Sequence, residues 1–349
     1  MMIAGVASAF PPHCYDQHTI SDALRGYWGD KLQRPELLTR LHSRTGVEYR
    51  NFAFPLNHYA RFENWGQSNA AWMEVAEQLG EKAIDGALER AGLARRDIDA
   101  LFVVSITGVA SPSLDARLIN RMKLRSDIKR TPIFGLGCVG GATALTRAAD
   151  YVKAYPTQSA VLLAVEVCSL TLRTDDLSMP NLISTGLFGD GAAAVMVVGA
   201  ERPSAGPAIL GTRSLFYPDT EQIMGWDISE KGFRIVLSPE LPALIQQHLA
   251  LDVDRFLAEF GLARGDIGNW VIHTGGPKIL EAVACALGLS DRDLTLSWES
   301  LRRHGNISSA SVLLVLEETI TAHRPAPGTL GLLAAMGPGF CSELLLLRW

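Results

Sequence analysis

The 349-residue chain lacks several features that would assign it to a common class of protein. It has five cysteines, an odd and small number that argues against a disulfide framework and is typical of a reducing cytoplasm. It has no long basic block, and its formal net charge is −5, so nucleic acid is not an expected partner. No apolar run approaches the roughly 20 residues that span a bilayer, so we expect no stable membrane insertion and a cytoplasmic location.

The chain does have enough apolar residues for a large core. Hydrophobic residues make up 48% and charged residues 20%, which allows two domains or one fused double domain. The apolar start, residues 1–7, has neither a basic region nor a long apolar segment, so it predicts a first strand rather than a signal peptide. The run Leu344–Leu347 stops at Arg348 and is short enough for a buried strand.

An internal repeat indicates a duplicated unit. Residues 92–108 read GLARRDIDALFVVSITG and residues 261–276 read GLARGDIGNWVIHTGG. Each segment follows a helical pattern, contains an Asp-Ile turn and continues into an apolar strand, and Asp266 follows Asp97 by 169 positions. By the same offset, His273 corresponds to Val104.

Two further pairs occur in the same order. GCVGGA at 137–142 matches GNISSA at 305–310, with Asn306 168 positions after Cys138, and each opens a predicted helix. FGDG at 188–191 resembles MGPG at 336–339 more weakly, and each precedes an apolar strand. The Pro/Gly-rich stretch near 201–207 then separates two α/β halves, predicted as residues 1–203 and 204–349, each with a mixed sheet covered by helices.

The most informative single residue is Cys138. It follows an apolar, strand-like stretch and Gly-Leu-Gly, at the start of a predicted helix, where amide groups and the helix dipole favour a thiolate nucleophile. Most free cysteines are inert packing residues. Cys138 differs because Gly137, Gly140 and Gly141 leave room for a substrate or another backbone beside it.

His273 and Asn306 complete a candidate site, although each has a simpler explanation. A lone histidine in an apolar strand is often a core residue, and an asparagine before a helix is often an N-cap. The repeat nevertheless brings both residues and Cys138 toward one region. A Cys/His/Asn site occurs in cysteine proteases, where the Asn orients the His. The duplicated α/β pattern argues against a protease and favours stabilisation of a thioester oxygen or an enolate by His273 and Asn306.

These motifs together resemble type III polyketide synthases, the chalcone-synthase-like branch of the thiolase superfamily. The resemblance covers essentially the whole chain through GLGCVGGA, LFGDGAAAV, HTGGPKIL, GNISSASVL and MGPGF. It implies a thiolase-like αβαβα layered α/β fold, a homodimer and no metal or organic cofactor. It also implies that Cys138 carries the acyl chain, that His273 and Asn306 promote decarboxylation of malonyl-CoA, and that Phe188 is a gatekeeper between the CoA tunnel and the cavity.

Departures from the plant enzymes suggest the starter. A second gatekeeper aromatic aligns with Ile235, a cavity methionine with Ser111 and a cavity threonine with Cys168. These changes predict a wider passage, and a tunnel lined by Thr107, Ser111 and Cys168 would select long acyl-CoA starters, although the same changes can simply repack a core. A long acyl tail gains about 0.8 kcal/mol per buried methylene. The GNISSASVL and MGPGF motifs add substrate-binding candidates, namely Ser308, Gly337 and Pro338.

Coenzyme A carries phosphates, so a local basic site is expected despite the negative net charge. Arg40 and Arg44 are spaced to share one face of a helix in the N-terminal region, where the family binds CoA. Gly276 and Lys278 follow His273 and are further CoA-binding candidates. A solvated surface is the simpler explanation of the two arginines.

The predicted function is therefore iterative condensation of malonyl-CoA onto an acyl-CoA, with a long-chain starter and alkylpyrone products similar to those of certain bacterial synthases. Aldol closure to an alkylresorcinol is the alternative outcome. Two other hypotheses remain open at this point: a ketoacyl-ACP synthase III-like enzyme that performs one condensation, and a non-catalytic thiolase-like partner protein.

Overall fold

The computed structural model describes residues 1–349 and contains thirteen strands and ten α-helices. The strands are β1 Met2–Ala9, β2 His13–Asp16, β3 Tyr49–Phe52, β4 Ala100–Val104, β5 Lys129–Ile133, β6 Ser159–Val167, β7 Asp190–Val198, β8 Ala208–Phe216, β9 Met224–Ser229, β10 Gly232–Leu237, β11 Ile267–Ile272, β12 Leu330–Gly337 and β13 Cys341–Arg348. The helices are α1 Gln17–Trp28, α2 Pro35–Ser43, α3 Trp65–Ala91, α4 Leu114–Met122, α5 Gly140–Ala154, α6 Met179–Leu187, α7 Leu241–Ala258, α8 Pro277–Leu287, α9 Thr295–His304 and α10 Ser311–Thr321.

The sheet order displays the duplication. Nine strands run in the order β11-β12-β13-β8-β1-β7-β6-β4-β5. Outward from the centre, β1-β7-β6-β4 repeats the pattern of β8-β13-β12-β11: the outermost pair of each set is parallel and the other two pairs are antiparallel. The two sets meet only where Met2 pairs with Ala208, and β5 is an addition to the N-terminal set. The boundary predicted after residue 203 falls in the connection between β7 and β8.

Three hydrophobic clusters define five layers. The central cluster joins α5 and α10 to residues from both sets of strands. A second cluster packs α3 and α4 on the outer face of the N-terminal set, and a third packs α7 and α8 on the outer face of the C-terminal set. The layers are therefore helix, sheet, helix, sheet, helix, which confirms the αβαβα prediction. No helix is both long and apolar enough to cross a membrane.

Helix α10 is apolar on nearly every face because it is covered on both sides, whereas α5 keeps an exposed polar stripe formed by Arg147, Asp150 and Lys153. In α5 the buried positions are filled mainly by alanine and glycine, and small side chains allow the helix to lie close to β6 and to α10. The helix predicted at GCVGGA begins at Gly140 and the helix predicted at GNISSA begins at Ser311, each after a short 3-10 turn.

Candidate active site

The thiol of Cys138 lies at the junction of the two central helices. Cys138 is the middle residue of a 3-10 turn, Gly137–Val139, that leads directly into α5. A Cβ added at Gly141 would lie 2.1 Å from the backbone oxygen of Ser309, so only glycine permits the two helix starts to approach this closely. This contact places the start of the C-terminal helix against the nucleophile.

Two side chains of the C-terminal half reach the sulfur. The Cys138 Sγ is 3.8 Å from Ser308 Oγ and 4.0 Å from Asn306 Nδ2, and the cysteine is only 5% exposed. Ser308 adopts φ +45°, a conformation that is uncommon for a residue other than glycine. Such a backbone is typical of a functional site, where the surrounding structure enforces it.

Asn306 is held in one orientation by hydrogen bonds on its backbone and side chain. Its backbone N–H donates to the Leu187 carbonyl, and its carbonyl accepts from Gly189, in a short bridge with the Phe188 segment. Its Oδ1 accepts from the Ser308 N–H at 2.8 Å, which leaves Nδ2 for the sulfur. Asn306 therefore caps the following turn and also faces the thiol. The predicted match of Asn306 to Cys138 is wrong by three residues: the structural counterpart of Cys138 is Ser309, the second residue of that turn.

His273 follows β11 and is 2% exposed. Its backbone N–H donates to the Ala334 carbonyl of the neighbouring β12, whose far end, Gly337, packs on the turn that carries Cys138. Neither ring nitrogen has a hydrogen-bond partner, and it makes no hydrogen bond with Cys138 or Asn306. A buried imidazole without partners is unfavourable, so the ring is available to a substrate oxygen.

Burial acts on the two titratable groups in opposite directions. It raises the pKa of the Cys138 thiol to about 11, with a further contribution from the charge of Glu166, whereas the bonds from Ser308 and Asn306 lower it. Burial also lowers the pKa of His273 to about 4. Burial therefore opposes the thiolate that the helix start predicted, and favours a neutral thiol and a neutral imidazole when each is considered alone.

Two adjoining cavities surround this chemistry. The thiol chamber, about 50 Å³, lies at Cys138 and is also lined by Thr107, Ser308 and Pro338. The large cavity, about 400 Å³, lies between α1, α6 and the β9–β10 hairpin. Four residues line both cavities and so form the partition between them: Cys168, Phe188, Trp226 and Ile235.

Most predicted pocket residues lie at these cavities, with two exceptions. Gly337 lies behind the chamber, where an added Cβ would be 2.6 Å from the Val139 nitrogen. Ser111 is exposed, precedes α4 and lines neither cavity of this chain, so its place in a tunnel with Thr107 and Cys168 stays a prediction. The Thr107 hydroxyl is engaged with Glu166, to which it donates at 2.9 Å.

The residues predicted to bind CoA come from two segments that touch. Arg40 is an exposed residue of α2, but that helix ends at Ser43, so Arg44 lies just beyond it instead of on the same helical face. A Cβ added at Gly46 would be 3.3 Å from the Pro277 ring, so the loop after Arg44 contacts the start of α8. There Gly276 adopts φ +122° and the exposed Lys278 follows, while CoA binding itself stays a prediction.

Several residues near the site were not predicted. Trp226 pairs with Ile235 across the β9–β10 hairpin and contributes to the partition. Glu166 is fully buried and accepts hydrogen bonds from Ile106, Thr107 and Ser309, with burial raising its pKa. Arg50 is fully buried and donates to the Phe188 carbonyl at 2.7 Å. A buried charge within a strand pattern was the available signal for Glu166 and Arg50. No group of His, Cys, Asp or Glu side chains is arranged to hold a metal ion.

Comparison with known proteins gives consistent matches over the whole chain. Residues 1–202 match chalcone and stilbene synthases, N-terminal domain, and residues 209–349 match the C-terminal domain. A 1,3,6,8-tetrahydroxynaphthalene synthase of Streptomyces peucetius subsp. caesius is 51% identical over 99% of this chain and 93% of its own length. A 3,5-dihydroxyphenylacetyl-CoA synthase of Streptomyces toyocaensis is 33% identical over 99% of this chain and 90% of its own length. The crystal structure of the tetrahydroxynaphthalene synthase of Streptomyces coelicolor A3(2), a bacterial type III polyketide synthase, has a TM-score of 0.95, with 32% identity and coverage of 100% of this chain and 99% of that one.

Proposed function

We propose, given that this chain belongs to the chalcone and stilbene synthase family and is a type III polyketide synthase, that it makes a tetrahydroxynaphthalene from malonyl-CoA alone. The observation that carries the proposal is the 51% identity, over nearly the whole length of both chains, to a 1,3,6,8-tetrahydroxynaphthalene synthase. The family match also sets aside the hypotheses of a single-condensation enzyme and of a non-catalytic partner protein.

Cys138 is the proposed acyl carrier. Its sulfur attacks the thioester carbonyl, the new S–C bond forms as the C–S bond to CoA breaks, and the thiol proton leaves with the CoA thiol. His273 is the proposed base for this step, because its ring nitrogens have no hydrogen-bond partner within the protein. An ionised Cys138 and a protonated His273 would each offset the unfavourable burial of the other.

Chain extension needs an enolate, and two donors are proposed to stabilise it. When the malonyl C–C bond breaks and carbon dioxide leaves, the electron pair becomes the enolate, whose oxygen accepts hydrogen bonds from His273 and from Asn306 Nδ2. The enolate carbon then attacks the Cys138 thioester, and the sulfur leaves as the new C–C bond forms. A preorganised donor of this kind contributes about 100-fold to 1,000-fold in rate. The fixed Asn306 amide, 4.0 Å from the sulfur, supports this role.

The hydroxyl pattern of the proposed product is consistent with a chain built from malonyl units alone. A naphthalene with hydroxyls at alternate positions is the pattern that two-carbon units joined head to tail leave behind, and all of these units can come from malonyl groups. No hydrophobic starter is required. The thiol chamber is small, and Trp226 and Phe188 both stand in the partition, which suits a short starter at the sulfur. The growing chain then extends into the large cavity.

A long-chain acyl starter giving an alkylpyrone or an alkylresorcinol is the second candidate. The apolar lining of the large cavity favours it, because residues such as Ile20, Leu24 and Leu172 offer a surface to an alkyl tail. Each buried methylene would contribute about 0.8 kcal/mol. The tail would have to pass the partition formed by Cys168, Phe188, Trp226 and Ile235.

One assay separates the two candidates. The enzyme is supplied with malonyl-CoA alone, and in parallel with malonyl-CoA plus a saturated long-chain acyl-CoA, and the products are identified by mass. We expect the naphthalene product from malonyl-CoA alone, and little change on addition of the acyl-CoA. Failure to form any aromatic product without an acyl-CoA, together with alkylpyrones in its presence, would reject the first candidate in favour of the second. Cys138→Ala is the control for both.

A homodimer is also proposed, as is general in this family. Phe134 is 47% exposed directly after the edge strand β5, and Val109 is exposed in the loop before α4, so this side of the chain presents apolar side chains to solvent. Burial of such a patch between two copies would be favourable. Sedimentation equilibrium should give the mass of two chains, and a monomer at micromolar concentration would contradict the proposal.

A further inference from the structure

We propose that Tyr59, Ser169 and Asp190 form a proton relay in the wall of the large cavity, and that Tyr59 exchanges protons with the polyketide during ring closure. The inference rests on the proposed function, since it assumes that a cyclised product forms in this cavity. It adds a catalytic group that is separate from Cys138 and the residues around it.

The three side chains form a continuous chain of short hydrogen bonds. Tyr59 lies in the 3-10 turn Leu56–Arg61, and its hydroxyl oxygen is 2.6 Å from Ser169 Oγ. Ser169 Oγ donates to Asp190 Oδ2 at 2.5 Å. Tyr59 and Ser169 line the large cavity, whereas Asp190 is completely buried behind them. The chain therefore leads from the cavity surface into the protein.

The bond directions leave the phenol oxygen able to accept. An ionised Asp190 only accepts hydrogen bonds, so Ser169 donates to it and Tyr59 in turn donates to Ser169. The Tyr59 oxygen also receives a long hydrogen bond, 3.3 Å, from the Phe54 N–H. A hydroxyl oxygen has two lone pairs, so one remains for a proton from the cavity side.

Asp190 is suited to hold the transferred proton. Burial raises its pKa to about 6, and the charge of Arg50 acts in the opposite direction. Arg50 donates to Phe188 and Gln17 and makes no hydrogen bond to the carboxylate, so Asp190 Oδ2 is not neutralised by a direct ion pair. Asp190 also accepts two backbone N–H groups at 2.8 Å, that of Ala53 at Oδ2 and that of Ser169 at Oδ1; these bonds hold the buried carboxylate in place and do not involve Tyr59.

Ring closure supplies the proton that this relay would carry. A methylene between two carbonyls loses a proton to Tyr59 as its C–H bond breaks, the Tyr59 proton passes to Ser169, and the Ser169 proton passes to Asp190. The electron pair left on carbon forms the new C–C bond to a ketone carbon, and the ketone oxygen becomes an alkoxide. The relay then runs backwards and protonates the alkoxide, so the three residues end in their starting state. General acid–base catalysis of this kind contributes about 100-fold to 10,000-fold.

The test separates ring closure from chain extension. Release of CoA from malonyl-CoA reports extension, and product masses report closure. For Tyr59→Phe, which removes one oxygen, we expect CoA release within about twofold of the parent and at least a tenfold fall in the ratio of the aromatic product to uncyclised or lactone products. Ser169→Ala should give the same shift. Ser169→Thr, which keeps the hydroxyl, should restore the parent ratio.

Tyr15→Phe is the matched control, because Tyr15 packs edge-on against the Phe52 ring, as Tyr59 does, but does not line the cavity. A parent product ratio in Tyr59→Phe would overturn the relay, as would a loss of CoA release that equals the loss of aromatic product. If Tyr59→Phe does not fold, Ser169→Ala and Ser169→Thr decide the question alone, and equal ratios in these two variants would also overturn it. Failure of the proposed function is distinguishable, since it appears in the parent enzyme as the absence of a naphthalene product.

Discussion

The turns Arg95–Asp97 and Arg264–Asp266 occupy the same place in the two halves and are built in the same way. In each turn the aspartate accepts the N–H of the alanine before the turn at 2.8 Å. In each turn the first arginine donates to an aspartate ten residues earlier, in the preceding long helix. It also donates to a backbone carbonyl near the end of the α-helix that follows the turn. Duplication has therefore preserved side-chain contacts where they only support the fold.

A few residues further on, the halves differ completely. Val104 ends β4 and is a core residue, whereas His273, at the corresponding position of the other half, is a buried imidazole without a partner. Cys138 likewise corresponds in position to Ser309, which is a small residue whose hydroxyl donates to Glu166. The comparison shows that the scaffold is shared and that the two halves supply different parts of one site, so each half alone lacks a complete one.

The strongest test of this comparison replaces His273 of the C-terminal half by valine, the residue at the corresponding position of the N-terminal half. We expect His273→Val to lower CoA release from malonyl-CoA at least 100-fold, because a donor to the enolate oxygen is removed. Stability should not fall, since the imidazole has no hydrogen-bond partner to lose. Steady-state kinetics and thermal unfolding check both statements.

The control for this change is Thr274→Val, which removes another buried polar group without a hydrogen-bond partner, the hydroxyl at the adjacent position. Its activity should remain within a few-fold of the parent. Activity of His273→Val within tenfold of the parent would assign the histidine to the core, the simpler explanation that its sequence context allows.

Sequence reasoning was successful where function depends on local pattern and repetition. The helix start just after Cys138 and the strand end at His273 follow from periodicity, glycines and the matched offsets, whereas the five layers were implied by the family resemblance. The tunnel position given to Ser111 stays a prediction, because a position in a motif does not state which way a loop faces.

The partition was predicted only in part: the family resemblance gave Cys168, Phe188 and Ile235 as pocket residues, but not Trp226. Trp226 reaches it only because the β9–β10 hairpin folds over the end of α6, and Phe188 faces it from the other half. The Tyr59, Ser169 and Asp190 contacts likewise join residues 110 and 21 positions apart. Such contacts depend on tertiary packing, which local periodicity does not encode.

Gly141→Ala should damage the junction between the halves. Its added Cβ would lie 2.1 Å from the Ser309 carbonyl oxygen, and the backbone there is held between two buried helices. We expect a loss of about 3 kcal/mol in the free energy of unfolding. Activity should fall as well, because Ser308 and Asn306 would move away from the sulfur.

Gly265→Ala provides the comparison, since nothing lies within 4 Å of its added Cβ and its backbone is not left-handed. It should change stability by less than about 0.5 kcal/mol. Chemical denaturation measures the change in stability, and the rate of alkylation of Cys138 reports the displacement of Ser308 and Asn306 from the sulfur. An unchanged unfolding midpoint for Gly141→Ala would contradict the close junction.

Asp190 should make the stability of the protein depend on pH. The C-terminal half has no equivalent group, because the counterpart of Asp190 in the weaker repeat is Pro338. Burial raises the pKa of Asp190 from 3.8 to about 6. The folded chain then binds the proton more tightly, so this contribution to stability is complete below pH 4 and is lost as the pH rises through 6. We expect about 2 kcal/mol over this range.

Urea unfolding of the parent and of Asp190→Asn is measured from pH 4 to pH 7.5. The contribution of Asp190 is the difference between the two proteins in how the free energy of unfolding changes with pH. The absolute cost of the substitution does not enter this difference. Parallel pH profiles for the two proteins would show that Asp190 does not titrate in this range.

The smallest expected effect tests the shared scaffold directly. Asp97→Asn and Asp266→Asn should each cost about 1 kcal/mol, because each weakens the hydrogen bond to the preceding alanine N–H. The two costs should agree within about 0.5 kcal/mol and should add in the double variant, since the turns lie in different halves with no shared partner. Unequal costs, or a loss of CoA release in either variant, would mean that one of the turns supports more than the fold of its own half. Equal and additive costs with full activity would leave the division between repeated scaffold and unrepeated chemistry as the simplest description of the enzyme.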